Sequence, residues 1–223
     1  MAARNYGQYC GVAGALELVG DRGALLLSRA RLVGPRRYTD LKAGLPRIPT
    51  NILSTRLKEL QEGGVIRRAP LLRSIVYELT DVGRGLEEVV LALGRWGVQT
   101  MGEPAVDDVL TADSVTMDLR ATFRADSAST FPSTTYRARI TGVDLALRVH
   151  GVTLHVAPST PADPLPDLDF AAGADIRSLI AGDVTAAAAI EQGIVRILAG
   201  DAGLMTRFAA TFTLSRQAVT FSV

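Results

Sequence analysis

Residues 36–78 read RRYTDLKAGLPRIPTNILSTRLKELQEGGVIRRAPLLRSIVYE, and the fold of the N-terminal half can be predicted from them. Its first part predicts two short amphipathic helices that are interrupted from Gly44 to Pro46, because glycine and proline end helices. Its second part predicts two short strands around a proline-containing turn. This order of elements indicates a helix-turn-helix followed by a wing.

The second of these helices is predicted from Thr50 to Glu62, with successive side chains about 100° apart around its axis. One narrow arc is apolar and carries Leu53, Leu57 and Leu60. The opposite arc carries short polar side chains and one cation: Asn51, Ser54, Thr55 and Lys58. Such a polar arc suits the base edges and phosphates of a DNA major groove, and it is equally typical of an ordinary solvated face.

Because a wing is predicted after the helix, contact with DNA is the stronger of these two interpretations. Gly63 and Gly64 supply a left-handed cap after the helix, and strands are predicted from Val65 and from Ser74. We expect three arginines at the tip of the hairpin: Arg67, Arg68 and Arg73. Cations on a wing bind phosphates beside a groove.

Four segments carry a resemblance to a known family. They read CGVAGALELVGDR at 10–22, GPRRYTDL at 34–41, NILSTRLKEL at 51–60 and VYELTDVG at 76–83. In this order and spacing, the chain from Tyr9 to Trp96 resembles the HxlR-type winged helix-turn-helix regulators of bacteria. It departs from them at Gly11, Gly23 and Pro49-Thr50. The last departure leaves open whether Thr50 caps the second helix or Pro49 lies in its first turn.

The resemblance implies a homodimeric transcriptional regulator that binds double-stranded DNA at a pseudo-palindromic operator. The residues expected to read bases are Thr50, Asn51, Ser54 and Thr55. The residues expected at phosphates are Arg36, Arg37, Arg56, Lys58, Arg67, Arg68 and Arg73. Arg56 is the least suited of these, because its angle lies near the leucine arc.

A long helix is predicted from Asp81 to Val98, with Thr80 as its cap. It has an apolar stripe that includes Leu86, Leu93 and Trp96. This stripe needs a cover, which is either a second subunit or the second domain of the same chain. The resemblance implies the subunit, with the helices Tyr9–Val19 and Asp81–Val98 forming the dimer.

Length and charge predict two domains, 1–105 and 106–223, joined by a linker over residues 100–113. Residues 1–105 contain 15 basic and 10 acidic side chains, whereas residues 106–223 contain 9 and 13. The net charges of +5 and −4 are those expected if only the first domain meets DNA.

Several features of the chain predict a cytoplasmic protein. It contains no apolar run of the roughly 20 residues that a membrane span needs, and its first residues do not resemble a signal peptide. Its single cysteine, Cys10, excludes an internal disulfide framework. Cys10 has two open interpretations: a redox-sensing thiol, as in some regulators that this segment resembles, or a small buried apolar side chain.

The second half alternates between apolar and polar residues and predicts an antiparallel meander with helical segments after it, so that the whole chain is α+β. The predicted strands are 115–123, 136–140, 144–150, 152–157, 168–170 and 193–198. The predicted helices are 174–180, 184–190 and a final one capped by Asp201.

The segment from Asp167 to Leu214 resembles sterol carrier protein domains. The carrying residues are AGD at 181–183 and GIVRILAGDAGLM at 193–205. The resemblance implies an antiparallel or mixed sheet with helices on one face. It also implies a pocket for a hydrophobic small molecule, lined by Val195, Ile197, Leu204, Met205, Phe208 and Phe212. It also supplies an alternative function: a carrier of lipids or other hydrophobic ligands in which the winged helix serves for dimerisation.

No motif predicts catalysis, a cofactor or a bound metal. The two histidines, His150 and His155, do not form a zinc-ligand pattern with Cys10. The chain has no G-x-S-x-G sequence and no phosphate-binding glycine loop. We therefore expect a protein that is not an enzyme.

Overall fold

The computed structural model of the protein describes residues 5–98, 101–102, 105 and 108–214, with the side chain of Arg22 outside the description. The chain divides into two compact units, Met1–Leu93 and Gly94–Val223, here called the N-terminal and C-terminal units. Both helices and sheets are present, so the α+β class is confirmed. No helix in the described part of the chain is long and apolar enough to cross a membrane.

The N-terminal unit is a helix-turn-helix followed by a two-stranded hairpin, as predicted. Its elements are α1 (Gly11–Val19), α2 (Arg22–Val33), α3 (Tyr38–Gly44), α4 (Thr50–Glu62), β1 (Ile66–Leu71), β2 (Ser74–Leu79) and α5 (Asp81–Arg84). β1 and β2 pair antiparallel. Arg36 adds a bridge to β2, because its backbone N–H donates to the Tyr77 carbonyl at 3.0 Å and its carbonyl accepts the Tyr77 N–H at 2.8 Å.

The leucine arc of α4 forms the centre of this unit. Leu53, Leu57 and Leu60 are buried, and they belong to one cluster with side chains of α2, α3 and the hairpin. Burial of each leucine contributes about 1.5–3 kcal/mol relative to an exposed one. The arc therefore fixes which face of α4 remains in solvent.

The start of α4 resolves the choice that the sequence left open. Pro49 is the N-cap residue, in an extended conformation, and Thr50 is the first helical residue. Neither alternative holds as stated, since Thr50 does not cap and Pro49 lies just before the first turn.

The long helix predicted over residues 81–98 is wrong in one respect. Thr80 caps as expected, accepting the Gly83 N–H at 3.1 Å, but α5 ends at Arg84 and a separate helix, α6, covers Glu87–Val98. The interruption contains Gly85, and glycine is a poor helix former. Gly83 is required for another reason: a Cβ there would lie 2.1 Å from the Val65 carbonyl oxygen.

The division between the units falls before the boundary that the sequence predicts near residue 105. Gly94 and the last turn of α6 belong to the C-terminal unit, where Arg95 Nη1 donates to the Ala121 carbonyl at 3.3 Å. Part of the predicted linker, residues 100, 103–104 and 106–107, lies outside the described residues.

The C-terminal unit contains a five-stranded mixed sheet with the order β5-β4-β3-β6-β7. Its strands are β3 (Thr134–Ile140), β4 (Val143–His150), β5 (Thr153–Pro158), β6 (Leu168–Ala172) and β7 (Val195–Gly200). The predicted meander is confirmed as β3, β4 and β5, whereas β6 pairs parallel with β3. Its further helices are α7 (Ala112–Thr122), α8 (Ala125–Ala128), α9 (Ile176–Ala181), α10 (Ala186–Glu191) and α11 (Leu204–Thr211).

The strand predicted over residues 115–123 is wrong, because the segment is the helix α7. Thr111 and Ser114 form a capping box: Thr111 Oγ1 accepts the Ser114 N–H at 3.1 Å, and Ser114 Oγ accepts the Thr111 N–H at 2.9 Å. The helix is buried on much of its surface, including Thr116 and Thr122. Since these buried threonines stand between apolar residues, the sequence alternates as a half-buried strand would.

Candidate nucleic-acid interface

The outward face of α4 places the four predicted base-reading residues together. Thr50, Asn51 and Ser54 are exposed and Thr55 is half-buried. Asn51, Ser54 and Thr55 lie away from the leucine arc, and Thr50 is exposed at the start of the helix. Lys58 lies on the same side, exposed, with its ammonium 3.6 Å from Glu62. The face thus offers hydroxyl and amide groups near its start and one cation further along.

Tyr38, which the sequence did not single out, holds the first turn of α4. Its hydroxyl donates to the Thr50 carbonyl at 3.1 Å and lies 3.3 Å from Ser54 Oγ. Thr55 Oγ1 donates to the Asn51 carbonyl at 2.9 Å. The polar groups of the face are therefore oriented by hydrogen bonds within the chain.

Lys42 holds the turn of the helix-turn-helix. Its ammonium donates to the Pro46 carbonyl at 2.9 Å and to the Ile48 carbonyl at 2.6 Å. Both carbonyls lie in the loop between α3 and α4, so the bonds fix the approach of the chain to Pro49. A lysine seven residues before a proline gives no recognisable sequence signal for this role.

Arg56 lies apart from the other predicted phosphate contacts. Its guanidinium pairs with Asp21 at 2.6 Å and with Glu59, and its side chain is only 19% exposed. Its charge is thus compensated inside the unit, as its angle near the leucine arc suggested. We leave Arg56 out of the proposed contacts.

The wing arginines do not crowd the hairpin tip as expected. The strand register pairs Arg67 with Glu78 and Arg68 with Tyr77, near the base of the hairpin. Arg67 Nε lies 2.7 Å from Glu78 Oε1, and the Arg68 guanidinium lies 6.0 Å from the centre of the Tyr77 ring. Only Arg73 lies at the tip, exposed and next to Leu72, which has a positive φ of 53°.

Arg36 and Arg37 lie immediately before α3. Arg37 is its exposed N-cap residue, and its backbone N–H donates to Asp40 Oδ2 at 3.0 Å. Arg36 is half-buried, with Nη1 donating to the Pro35 carbonyl at 3.1 Å. Of this pair, Arg37 is the better placed to reach a phosphate.

A buried arginine of α2, Arg31, packs against the wing strand β2. Arg31 is 3% exposed, its Nη1 donates to the Leu27 carbonyl at 2.6 Å, and its guanidinium lies 5.7 Å from the centre of the Tyr77 ring. Burial lowers the pKa of Arg31 to about 10, so it remains a cation at neutral pH. Tyr77 therefore contacts the guanidinium groups of both Arg31 and Arg68, an arrangement that links β2 to α2.

Cys10 is exposed, so the interpretation as a buried apolar side chain is wrong. It is the N-cap residue of α1, and its Sγ accepts the Ala13 N–H at 3.3 Å. Redox sensing by this thiol stays a prediction. No cluster of three or more metal-binding side chains occurs within the described residues.

The six residues predicted to line a ligand pocket come together in the C-terminal unit. Val195, Met205, Phe208 and Phe212 are buried in its hydrophobic core, and Ile197 and Leu204 pack against that core. The Phe208 ring lies 5.4 Å from Tyr136, 5.0 Å from Phe170 and 4.6 Å from Phe212, measured between ring centres.

A family model described as HxlR-like helix-turn-helix matches residues 18–104. An HTH-type transcriptional regulator of Mycobacterium tuberculosis, Rv3095, is 39% identical over 93 residues, which are 40% of this chain and 58% of that protein. The chain thus spans little more than half the length of this relative.

Two relatives from Bacillus subtilis are covered more fully. YdeP is 31% identical over 40% of this chain and 71% of its own length, and YodB is 30% identical over 38% and 79%. The solved structure of reduced YodB covers 43% of this chain and 100% of that chain, with 27% identity and a TM-score of 0.38. By these matches, the chain belongs through its N-terminal half to the HxlR-like helix-turn-helix family.

Proposed function

We propose that this protein is a DNA-binding transcriptional regulator and acts in the cytoplasm of a bacterium. The observation that carries the proposal is the outward face of α4, where Thr50, Asn51, Ser54 and Thr55 lie together beside Lys58. The relatives named above are called HTH-type transcriptional regulators, which supports the same role. We assign no catalytic role to either unit.

The proposed mode of binding places α4 in the major groove and the wing beside it. The phosphate contacts come from Arg36, Arg37, Lys58, Arg68 and Arg73, with Arg67 already paired to Glu78. Two copies would place two α4 helices in successive grooves, so that the half-sites of a pseudo-palindrome lie about one helical turn apart.

Replacing Asn51 with alanine is expected to remove preference for the operator while binding to other duplexes persists. An exposed asparagine amide can bond both N6 and N7 of adenine, and such a pair contributes about 1–3 kcal/mol of discrimination. The measurement is fluorescence anisotropy with the upstream DNA of the protein's own gene and with a scrambled duplex. We expect the ratio of the two affinities to fall by at least about fivefold, as that energy range implies.

The matched control is Gln192→Ala, which removes an exposed amide from the C-terminal unit. It should leave the ratio unchanged. If the unmodified protein binds no duplex at low salt, the proposed function is wrong, and the alternative as a carrier of hydrophobic ligands becomes the better interpretation.

Dimerisation is the second part of the proposal. α1 exposes Val12 and Leu16, and α6 exposes Val89, Leu93 and Trp96. Large apolar side chains of this kind on neighbouring turns mark surfaces that bind another protein. A second copy of the chain would cover them, as the resemblance to dimeric regulators also implies.

Replacing Leu16 and Leu93 together with glutamate is therefore expected to give a monomer. Both side chains are 45% exposed, so the change leaves the fold intact but places charges where an apolar interface would form. Sedimentation velocity measures the state, and DNA affinity should fall with dimer content. Val152→Glu with Leu165→Glu, two exposed sites of the C-terminal unit, is the control. A double variant that still sediments as a dimer would show that these helices do not form the interface.

The C-terminal unit as a sterol carrier protein-like domain for a hydrophobic small molecule stays a prediction. The clustering of the six apolar side chains around Phe208 supports it. Such a ligand would modulate DNA binding if it favoured one arrangement of the dimer.

A further inference from the structure

Two hydroxyl groups on the outward face of α4 take part in hydrogen bonds within the chain. Ser54 Oγ lies 3.3 Å from the Tyr38 hydroxyl oxygen. Thr55 Oγ1 donates to the Asn51 carbonyl at 2.9 Å. Since each hydroxyl has a single proton, these bonds determine what it can still offer to DNA.

The direction of the Tyr38–Ser54 bond follows from a second bond that the Tyr38 hydroxyl makes. The Tyr38 hydroxyl also lies 3.1 Å from the Thr50 carbonyl oxygen, which can only accept. Tyr38 therefore gives its one proton to Thr50. The proton shared with Ser54 must then come from Ser54, so Ser54 donates to Tyr38.

The proton of the Thr55 hydroxyl is also engaged within the chain, but by a different partner. The Asn51 carbonyl can only accept, so the Thr55 proton is engaged along the helix. Both hydroxyl oxygens keep lone pairs but no proton to donate. Towards a groove, Ser54 and Thr55 are acceptors.

We propose that α4 selects bases that present an amine in the major groove at the positions of Ser54 and Thr55, and that Tyr38 is the positioning residue that sets this preference at Ser54. Adenine N6 and cytosine N4 are the donors available there, whereas guanine presents acceptors only and thymine an acceptor and a methyl group. The inference rests on the proposed function, because it names the base class that the same face reads.

The test compares the unmodified protein with single and double variants by selection of bound duplexes from a randomised library. Ser54→Ala identifies the base position that Ser54 reads, and there the unmodified protein should favour adenine or cytosine over guanine or thymine by about 3- to 10-fold, the range of one net hydrogen bond. Tyr38→Phe frees the Ser54 proton, so that Ser54 can also donate to guanine or thymine. The preference at that position should fall to within about twofold.

Thr55→Val extends the test to a second position and keeps the side-chain shape. It should remove the preference for adenine or cytosine at the base that Thr55 reads, with or without Tyr38→Phe. Tyr6→Phe is the matched control, because it removes the same atom from an exposed ring outside α4 and outside the two helices proposed for the dimer, and it should change nothing.

The outcomes separate this inference from the function on which it rests. A preference for guanine or thymine at the Ser54 position, or an unchanged profile for a folded Tyr38→Phe variant, overturns the inference alone. A Ser54→Ala variant with an unaltered profile does the same. Failure of the unmodified protein to bind any duplex at low salt overturns the proposed function, and this inference with it.

Discussion

Replacing Arg37 and Arg73 together with alanine is expected to weaken binding to every duplex by about 100- to 1,000-fold at 0.1 M salt. Both side chains are exposed, Arg37 at the N-cap of α3 and Arg73 at the tip of the hairpin. A dimer would lose about four cations, and each phosphate contact adds about 0.9 to the slope of log affinity against log salt. The slope should therefore flatten by roughly 3 to 4.

The loss should be the same for the operator and for a scrambled duplex, because phosphates carry no sequence information. This separates the double variant from Asn51→Ala, which should act on sequence preference. Arg148→Ala with Arg196→Ala removes the same charge from exposed sites on the sheet of the C-terminal unit and is the matched control. An unchanged salt slope for the Arg37 and Arg73 variant would exclude these residues from the phosphate contacts.

Arg37 and Arg73 are both among the predicted phosphate contacts, whereas Arg67 and Arg68 lie away from their predicted place. Their closeness to the turn in sequence predicts the tip of the hairpin. Strand register decides instead, and it places them opposite Glu78 and Tyr77. Pairing partners on the opposite strand lie about ten residues away in the chain, so sequence proximity to the turn did not reveal them.

The helix-turn-helix itself was predictable, because local signals agree there. The three leucines of α4 follow the helical period and are all buried, and Gly64 has the left-handed φ of 70° that a helix end requires. The outward face follows from the buried one. For this reason Asn51, Ser54 and Thr55 lie together away from the leucine arc.

Prediction failed where burial rather than period controls the pattern. α7 is buried on several sides, and its apolar residues alternate with Thr116, Asp118, Arg120 and Thr122, which is the pattern typical of a half-buried strand. The break between α5 and α6 falls at Gly85, but Gly94 lies inside α6, so a glycine alone does not mark a break. Neither feature has a local sequence signal strong enough to outweigh the apparent pattern.

The supports of the interface were missed because each joins distant parts of the chain. Tyr38 bonds to residues of the next helix, Lys42 bonds across the turn, and Arg31 contacts a ring on β2. The candidate base contacts can be predicted from the helical period of α4 alone. The residues that orient them need the three-dimensional arrangement.

Replacing Phe208 with alanine is expected to destabilise the C-terminal unit by about 3–5 kcal/mol. The ring is fully buried and contacts Tyr136, Phe170 and Phe212, which belong to β3, β6 and the end of α11. The cost combines lost apolar burial with the cavity that remains. A domain has about 5–15 kcal/mol of stability in total, so most of it would be removed.

Urea unfolding followed by circular dichroism measures this change, and hydrogen exchange locates it. Protection should fall in β3, β6 and α11 while α4 and β1 keep theirs, since the Leu53 cluster does not include Phe208. Leu165→Ala, at a site that is 92% exposed, should cost less than about 0.5 kcal/mol.

The Phe208→Ala variant also distinguishes a close-packed core from a core that encloses a ligand pocket. If the six predicted pocket residues enclose space for a hydrophobic molecule, removal of the Phe208 ring would widen that space rather than open a new cavity. The lost burial of the ring would still cost stability, so the distinguishing result is that the unmodified protein already binds an apolar fluorescent probe. The variant would also bind an apolar fluorescent probe more tightly than the unmodified protein does. A loss of 3 kcal/mol or more without added probe binding would instead mean that the aromatic cluster is structural, and that any ligand of this unit binds elsewhere.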